Sequence, residues 1–429
     1  MKIKTKVMDY EQVLALPRPA HRPPMRPNLV MRTLMRALSA SDLRDAHFTY
    51  HCERMDELGE GPYLIVMNHS SFIDLEIVSK IFYPKPYCII CTSDGFVGKE
   101  GLMRRLGCIP TNKFVADVTL FADMRQALQE KKCSVLLYPE ASYSFDGCPT
   151  PLPRKLGVML KRLKVPVVMI RTEGAFSRDP LYNCLQKRKV RVSAVVRGLL
   201  TTGEIRERSN AELDALLDEA FSFDGFRWQQ ENHVEIREDF RADGLERILY
   251  KCPHCGTEGQ TEGRGTELVC HACGRKYELD SFGYLRAADG GEPAFTHVPD
   301  WYAWERREVR RELEEGSYLL DTEVEIGMLV DFKAIYMVGE GRLRHDLSGF
   351  TLDGCGGKLH FERPAAQCYS LYADYYWYEL GDIICIGDRD AQYYCFPKKK
   401  LPVAKARLAT EELYKMIRAR KRARNLKNP

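Results

Sequence analysis

Residues 63–82 read YLIVMNHSSFIDLEIVSKIF. The run from Leu64 to Met67 is apolar without alternation, which is the pattern of a strand covered on both faces rather than one. The stretch after Asn68 reads as a helix, with Ser70 or Ser71 placed to cap its first turn. Working outward, the same alternation of apolar run and helical stretch returns in SVLLYPE (134–140), PLPRKLGVMLKRL (151–163) and VPVVMIRTEG (165–174), and VRVSAVVRGLL (190–200) adds a strand. SNAELDALLDEAFSF (209–223) then predicts a capped helix that closes the unit. The expected class is α/β: a central, mostly parallel sheet with flanking helices, spanning 46–223.

His69 and Asp74 fall at the point where strand gives way to helix. On one continuous helix, residues five apart are separated by about 140°, at roughly 100° per residue, and would not face each other. With His69 in the preceding turn, Asp74 on the first helical turn can reach back to the imidazole. A hydroxyl that attacks a thioester needs a base that titrates near neutrality, and histidine supplies one; the carboxylate fixes the tautomer and stabilises the imidazolium. Spacing alone does not single out this pair, because His51 and Asp56 in HCERMD repeat it. His51 ends an amphipathic strand with no capped helix after it.

Three further blocks occur in order: LGCIPTNK (106–113), YPEASYS (138–144) and VPVVMI (165–170). With NHSSFID (68–74) they resemble the lysophosphatidate and glycerol-phosphate acyltransferase family, whose pattern is N-H-x-x-x-x-D, G-x-I-P, F-P-E-G-T-R-S and V-P-V-x-P, over about Phe48 to Gly174. The resemblance implies His69 as general base with Asp74 as its partner. It places Glu140 and Ser142 in the acceptor pocket, shaped by Gly107, Ile109 and Pro110, with Lys113 as a phosphate-binding cation. Val165–Ile170 reads as buried core. The implied reaction moves a fatty acyl group from acyl-CoA or acyl-carrier protein to the hydroxyl of a lysophospholipid such as 1-acylglycerol-3-phosphate. Two departures matter: Ala141-Ser142-Tyr143 replaces Gly-Thr-Arg, and Lys113 stands where Arg is common. Neither Tyr nor Lys reproduces the bidentate grip of Arg on phosphate, so an acceptor with another head group fits as well. The rival reading is a non-catalytic membrane-surface adaptor that keeps the acyltransferase fold.

The chain of 429 residues is long enough for about two or three folded units. Residues 1–45 are a basic, Pro-rich arm and a helix, with Val30, Met31, Leu34, Met35 and Leu38 on one face and Arg32 and Arg36 beside them. Residues 224–250 read as a polar connector. In 251–285, Cys252, Cys255, Cys270 and Cys273 form two C-x2-C pairs, each followed by Gly. A two-residue spacer sets two thiolates on adjacent corners of a tetrahedron, so this is a four-cysteine zinc ribbon whose Zn2+ is structural, with His254 and His271 outside the ligand set. Cys88 and Cys91, inside an apolar run, are read as core thiols. Residues 286–429 predict a helix, several antiparallel strands and a terminal helix, an order that resembles the pleckstrin-homology or GRAM superfold.

Lys398–Pro429 holds 12 Lys or Arg against 2 Glu, while the net charge is only +4. An anionic membrane surface is the expected partner of that tail. Nucleic acid is not expected, since the ribbon has no concentrated Lys and Arg face. No stretch approaches the roughly 18 to 20 apolar residues of a membrane span, and MKIKTKVMDYEQ lacks a signal core. The protein is therefore expected in the cytoplasm, peripheral on the inner face of the membrane.

Overall fold

The structure, a computed structural model, describes residues 2–115 and 117–427; the last two residues of the basic tail lie outside them. The first sheet comprises β1 (Thr49–Glu53), β2 (Leu64–Met67), β3 (Tyr87–Thr92), β4 (Cys108–Thr111), β5 (Ser134–Leu137), β6 (Val167–Glu173) and β7 (Ser193–Leu200). Their order is β1-β7-β6-β2-β5-β3-β4. Every pairing is parallel except β6 with β7. Central β2 sends Leu64 and Val66 into one apolar core and Ile65 and Met67 into another, which is why its sequence shows no polar alternation.

Helices cover both faces. On one side α1 (Leu29–Leu38) leans through Met35 on the core that α2 (Ile73–Phe82) fills with Ile73, Ile77 and Val78. On the other, α3 (Leu156–Leu163) and α4 (Asn210–Ala220) contribute Leu160, Leu163, Leu213 and Leu217. Each such side chain, once buried, contributes about 1.5–3 kcal/mol. Ser209 and Glu212 form a capping box at the start of α4.

A four-stranded antiparallel ribbon follows: β8 (Thr261–Arg264), β9 (Glu267–Cys270), β10 (Lys276–Leu279) and β11 (Leu285–Ala287). Then come α5 (Val298–Glu315), seven strands and α6 (Val403–Lys427). The strands are β12 (Leu320–Leu329), β13 (Ile335–Asp346), β14 (Gly349–Gly354), β15 (Leu359–Pro364), β16 (Tyr372–Trp377), β17 (Gly381–Gly387) and β18 (Gln392–Pro397), in the order β15-β14-β13-β12-β18-β17-β16. No helix among the described residues is long and apolar enough to cross a membrane.

Three segments differ from the sequence reading. GFTLDG, to which the sequence reading assigns no element, forms β14, because Phe350 and Leu352 alternate into the core. Thr5–Val7 adds a parallel strand beside β13, so the arm begins on the C-terminal sheet. From there it runs back over the first domain, with His21 Nε2 at 3.0 Å from Asp123 and Pro27 against Gly107. Residues 224–250 are not a loose polar linker: Phe226, Leu245, Ile248, Leu249 and Tyr250 share a core with Trp301 of α5 and Val324 of β12. Leu245 and the run Ile248-Leu249-Tyr250 stand at the end of a segment otherwise dominated by charged and amide side chains.

Candidate active site

The loop after β2 is organised by Asp74. Its Oδ2 accepts from the backbone N–H of Ser70 (2.8 Å) and Ser71 (3.1 Å) and lies 3.0 Å from His69 Nδ1. An ionised carboxylate only accepts, so Nδ1 carries the proton and Nε2 is left with its lone pair. The expected serine cap takes another form. Phe72 occupies the N-cap position without a side-chain bond, while Ser71 Oγ bonds Asp179 and accepts from Ile73 N–H at 3.3 Å. Asn68 Oδ1 accepts from Thr172 N–H at 2.9 Å and so pins the end of β2 to β6.

Tyr138 and Tyr143 close over the imidazole from its two faces, with ring centroids 4.0 and 4.1 Å away and planes inclined by 26° and 30°. Only 17% of the His69 side chain is exposed. With Nδ1 bonded and both faces covered, the Nε2 edge is the approach that remains. Burial lowers the His69 pKa from its usual value, against the opposing pull of Asp74. The sequence carries no sign of this sandwich, in which Tyr143 stands out only as an absent arginine.

Glu140 acts on the backbone of the loop. Its Oε2 accepts from His69 N–H at 3.0 Å and its Oε1 from Thr150 N–H at 2.8 Å, while burial pushes its carboxyl up to about 7. It thus braces the loop backbone, and these hydrogen bonds are not those of a pocket wall. Ser142 Oγ is buried and donates to the Tyr143 carbonyl at 3.0 Å. Gly107, at φ +86°, turns the chain where an added Cβ would meet Pro27 and the Tyr87 carbonyl at 3.0 Å. Ile109 is core beside Leu64 and Val135, and Pro110 pairs with Cys91 in β4. The block-two residues therefore hold β4, which leads to Lys113.

Lys113 is not a surface lysine. Its Nζ stands 3.9 Å over the ring of Tyr372 on β16, and burial lowers its pKa against the attraction of Asp374 and Asp94. Tyr372 Oη donates to Asp94 at 2.9 Å and receives Trp377 Nε1–H at 2.9 Å. Arg407 of α6 donates to the Tyr143 carbonyl at 3.4 Å, stacks on Phe145 and pairs with Glu411 at 3.3 Å. The C-terminal unit thus reaches the loops around His69 and Lys113 with Tyr372, Asp374 and Arg407, none of which the sequence marked. The decoy is resolved, because His51 is exposed on β1 and faces Glu53 at 3.3 Å. Val167, Val168, Met169 and Ile170 are core. Cys88 is buried 3.6 Å from Cys133.

The four cysteines converge: all their sulfurs lie within 4.8 Å of one another, with Cys252–Cys273 and Cys255–Cys270 each at 3.8 Å. Tetrahedral zinc with bonds of about 2.3 Å requires sulfur–sulfur edges of about 3.8 Å, so the donor set fits a metal ion of that kind. Gly256 and Gly274, at φ +72° and +73°, complete the two turns. His254 is exposed and His271 pairs with Glu262.

Residues 47–172, which contain His69, Asp74, Glu140 and Tyr143, match the family model described as Acyltransferase. This segment is an acyltransferase-family domain, followed in the chain by the four-cysteine cluster. Among solved structures, the chain is similar to the 1-acyl-sn-glycerophosphate (LPA) acyltransferase PlsC from Thermotoga maritima. The two share 15% identity with a TM-score of 0.34, over 44% of this chain and 76% of that one. No curated protein matches.

Proposed function

We propose that the protein is an O-acyltransferase that moves a fatty acyl group from a thioester, acyl-CoA or acyl-carrier protein, to a lipid hydroxyl. The observation that carries this is the His69–Asp74 pair, 3.0 Å apart, within the acyltransferase-family segment. His69 Nε2 takes the acceptor proton as the hydroxyl oxygen attacks the thioester carbonyl. Asp74 holds Nδ1–H and stabilises the imidazolium that forms. The tetrahedral intermediate then expels the thiolate, which takes the proton back from Nε2, leaving an ester and a free thiol. A lysophospholipid such as 1-acylglycerol-3-phosphate is one acceptor of the right kind.

The same reading assigns Zn2+ to Cys252, Cys255, Cys270 and Cys273, coordinatively full and therefore structural. It places the protein peripherally on the inner face of a membrane. In support, α1 exposes Leu29, Val30, Leu34 and Leu38 beside Arg36, and Phe72 is exposed next to the catalytic loop. The C-terminal strands followed by one helix support a pleckstrin-homology or GRAM-like unit by fold analogy. Labelled long-chain acyl-CoA and acyl-carrier protein, offered with a panel of lysolipids in vesicles, test the proposal. Ester formation supports it; vesicle binding without transfer from either donor favours the adaptor instead.

A further inference from the structure

A cavity of about 190 Å3 opens where the connector, the ribbon and the C-terminal sheet meet. It shares no residue with the His69 site. At about 30 Å3 of liquid per water it has room for about six waters, or for one small organic molecule of that bulk. Glu246 and Arg247 line it from the connector, Asp382 from β17, and Lys400 from the segment that leads into α6. Two acids thus face two bases. Their pairing is loose, with Lys400 Nζ 3.5 Å from Glu246 and Arg247 Nε 3.7 Å from Asp382. Charge-assisted hydrogen bonds close to about 2.7–2.9 Å, as Lys405 of α6 does with Glu258 of the ribbon and Glu312 of α5, at 2.7 and 2.8 Å.

The polar atoms of this lining are held in place and only partly used. Glu246 Oε2 accepts from Gly263 N–H at 3.0 Å and Asp382 Oδ1 from Tyr376 N–H at 2.9 Å, so each acid is fixed by one oxygen and keeps the other for a cation. Arg247 Nη1 donates to the Tyr182 carbonyl at 2.9 Å, which fixes the guanidinium, while Nη2 makes no hydrogen bond among the described residues. The Lys400 side chain is 63% exposed and has two contacts of 3.5 Å, to Glu246 and to the Thr261 carbonyl. Tyr250, also in the lining, has a buried hydroxyl without a partner, which is destabilising until water or a ligand supplies one. A lone anion entering here meets Glu246 and Asp382, and a lone cation meets Arg247 and Lys400. A molecule that carries both charges satisfies all four. We propose that this cavity binds a small zwitterion, its ammonium group facing Glu246 and Asp382 and its carboxylate or phosphate facing Arg247 and Lys400. The lining continues through Leu401 and Pro402 into α6, whose Arg407 reaches the Tyr143 carbonyl, so an occupant ties the ribbon to the helix that holds the loop around His69.

The full-length, metal-loaded protein is titrated by calorimetry with O-phosphoethanolamine and with L-serine, and with ethanolamine, inorganic phosphate and acetate as their separate halves. At least one zwitterion should bind at least about tenfold more tightly than any of the halves, since each half leaves one pair of charges unmatched. With the tighter zwitterion bound, amide hydrogen exchange of the wild type should slow in residues 245–250 and 399–404. Lys400→Gln should weaken that binding at least about tenfold, and where the variant does not fold the exchange map of the wild type decides. Vesicles containing phosphatidylethanolamine that displace O-phosphoethanolamine assign the same chemistry to a lipid head group; vesicles that do not displace it leave it with a free metabolite. Phosphate or ethanolamine alone binding as tightly as the zwitterion overturns the charge assignment, and unchanged binding by folded Lys400→Gln overturns the part given to Lys400. Binding of neither zwitterion, or protection only at a distance from this cavity, overturns the site.

Discussion

In the proposed mechanism His69 has to be neutral to accept a proton, and its burial and the nearby charge of Lys113 favour the neutral form against the pull of Asp74. Because burial lowers its pKa, kcat/KM should fall as pH drops through a midpoint below about 6.5, the ordinary value for histidine. Opening one face with Tyr143→Ala should raise that midpoint towards 6.5; a wild-type midpoint above 7 would contradict the burial argument. Glu140 poses a different problem, since both of its oxygens receive backbone N–H groups. In Glu140→Gln the amide nitrogen must face one of those donors, at a cost of about 1–3 kcal/mol read as a lower Tm. The carboxyl is raised from 4.5 to about 7, so its protonated form favours the fold. That contribution is full below about pH 4.5 and is lost as pH rises through about 7, so the Tm advantage of wild type over Glu140→Gln should narrow across this window. His69 and Asp74 are legible in the sequence because a strand end, a turn and a first helical turn form one local unit. Tyr138, Tyr143 and Arg407 are not, because they meet the ring or its loop from distant segments whose packing no spacing encodes.

The elements behave as clamps on the loops around His69. α6 holds the Tyr143 carbonyl through Arg407, and Arg407 in turn shares Glu411 with Arg306 of α5. Arg407→Ala removes one cation from this buried network and should destabilise the protein by about 3 kcal/mol, since Glu411 keeps only part of its neutralisation. Transfer activity should fall below what the lost stability explains, measured at a temperature where the variant is fully folded. Activity that simply tracked the folded fraction would reduce α6 to scaffolding. Legibility at this scale is uneven. β2 and α4 are plain from an unbroken apolar run and from a capping box, and the cysteine pairs from two tight turns. β14 is hidden by its glycines, and the Thr5–Val7 strand by a pairing partner some three hundred residues away.

At the scale of the molecule, the acyltransferase domain is not followed by independent appendages. Phe145, Phe176 and Tyr182 share a core with ribbon, α5 and C-terminal residues, and Val97 and Phe114 share another with Tyr372, Trp377 and Tyr394. The ribbon is seated on α5, where Trp301 Nε1 donates to the Lys251 carbonyl at 3.0 Å and Glu305 accepts from Lys251 N–H at 2.8 Å. Stripping the metal with a chelator should therefore lower the Tm of the whole chain, as followed by calorimetry, rather than melt the ribbon alone. A separate low-temperature transition with the main one unmoved would show the ribbon to be independent. The shared cores are not readable from the sequence, because an interface between units has the same apolar pattern as an interior. The proposed acyl transfer turns on His69, and the most direct measurement is acyl transfer from labelled acyl-CoA by the full chain and by His69→Ala. A loss of at least about a hundredfold in kcat, with the variant folded and its metal retained, is the predicted result. Transfer that survives the loss of His69 would contradict it.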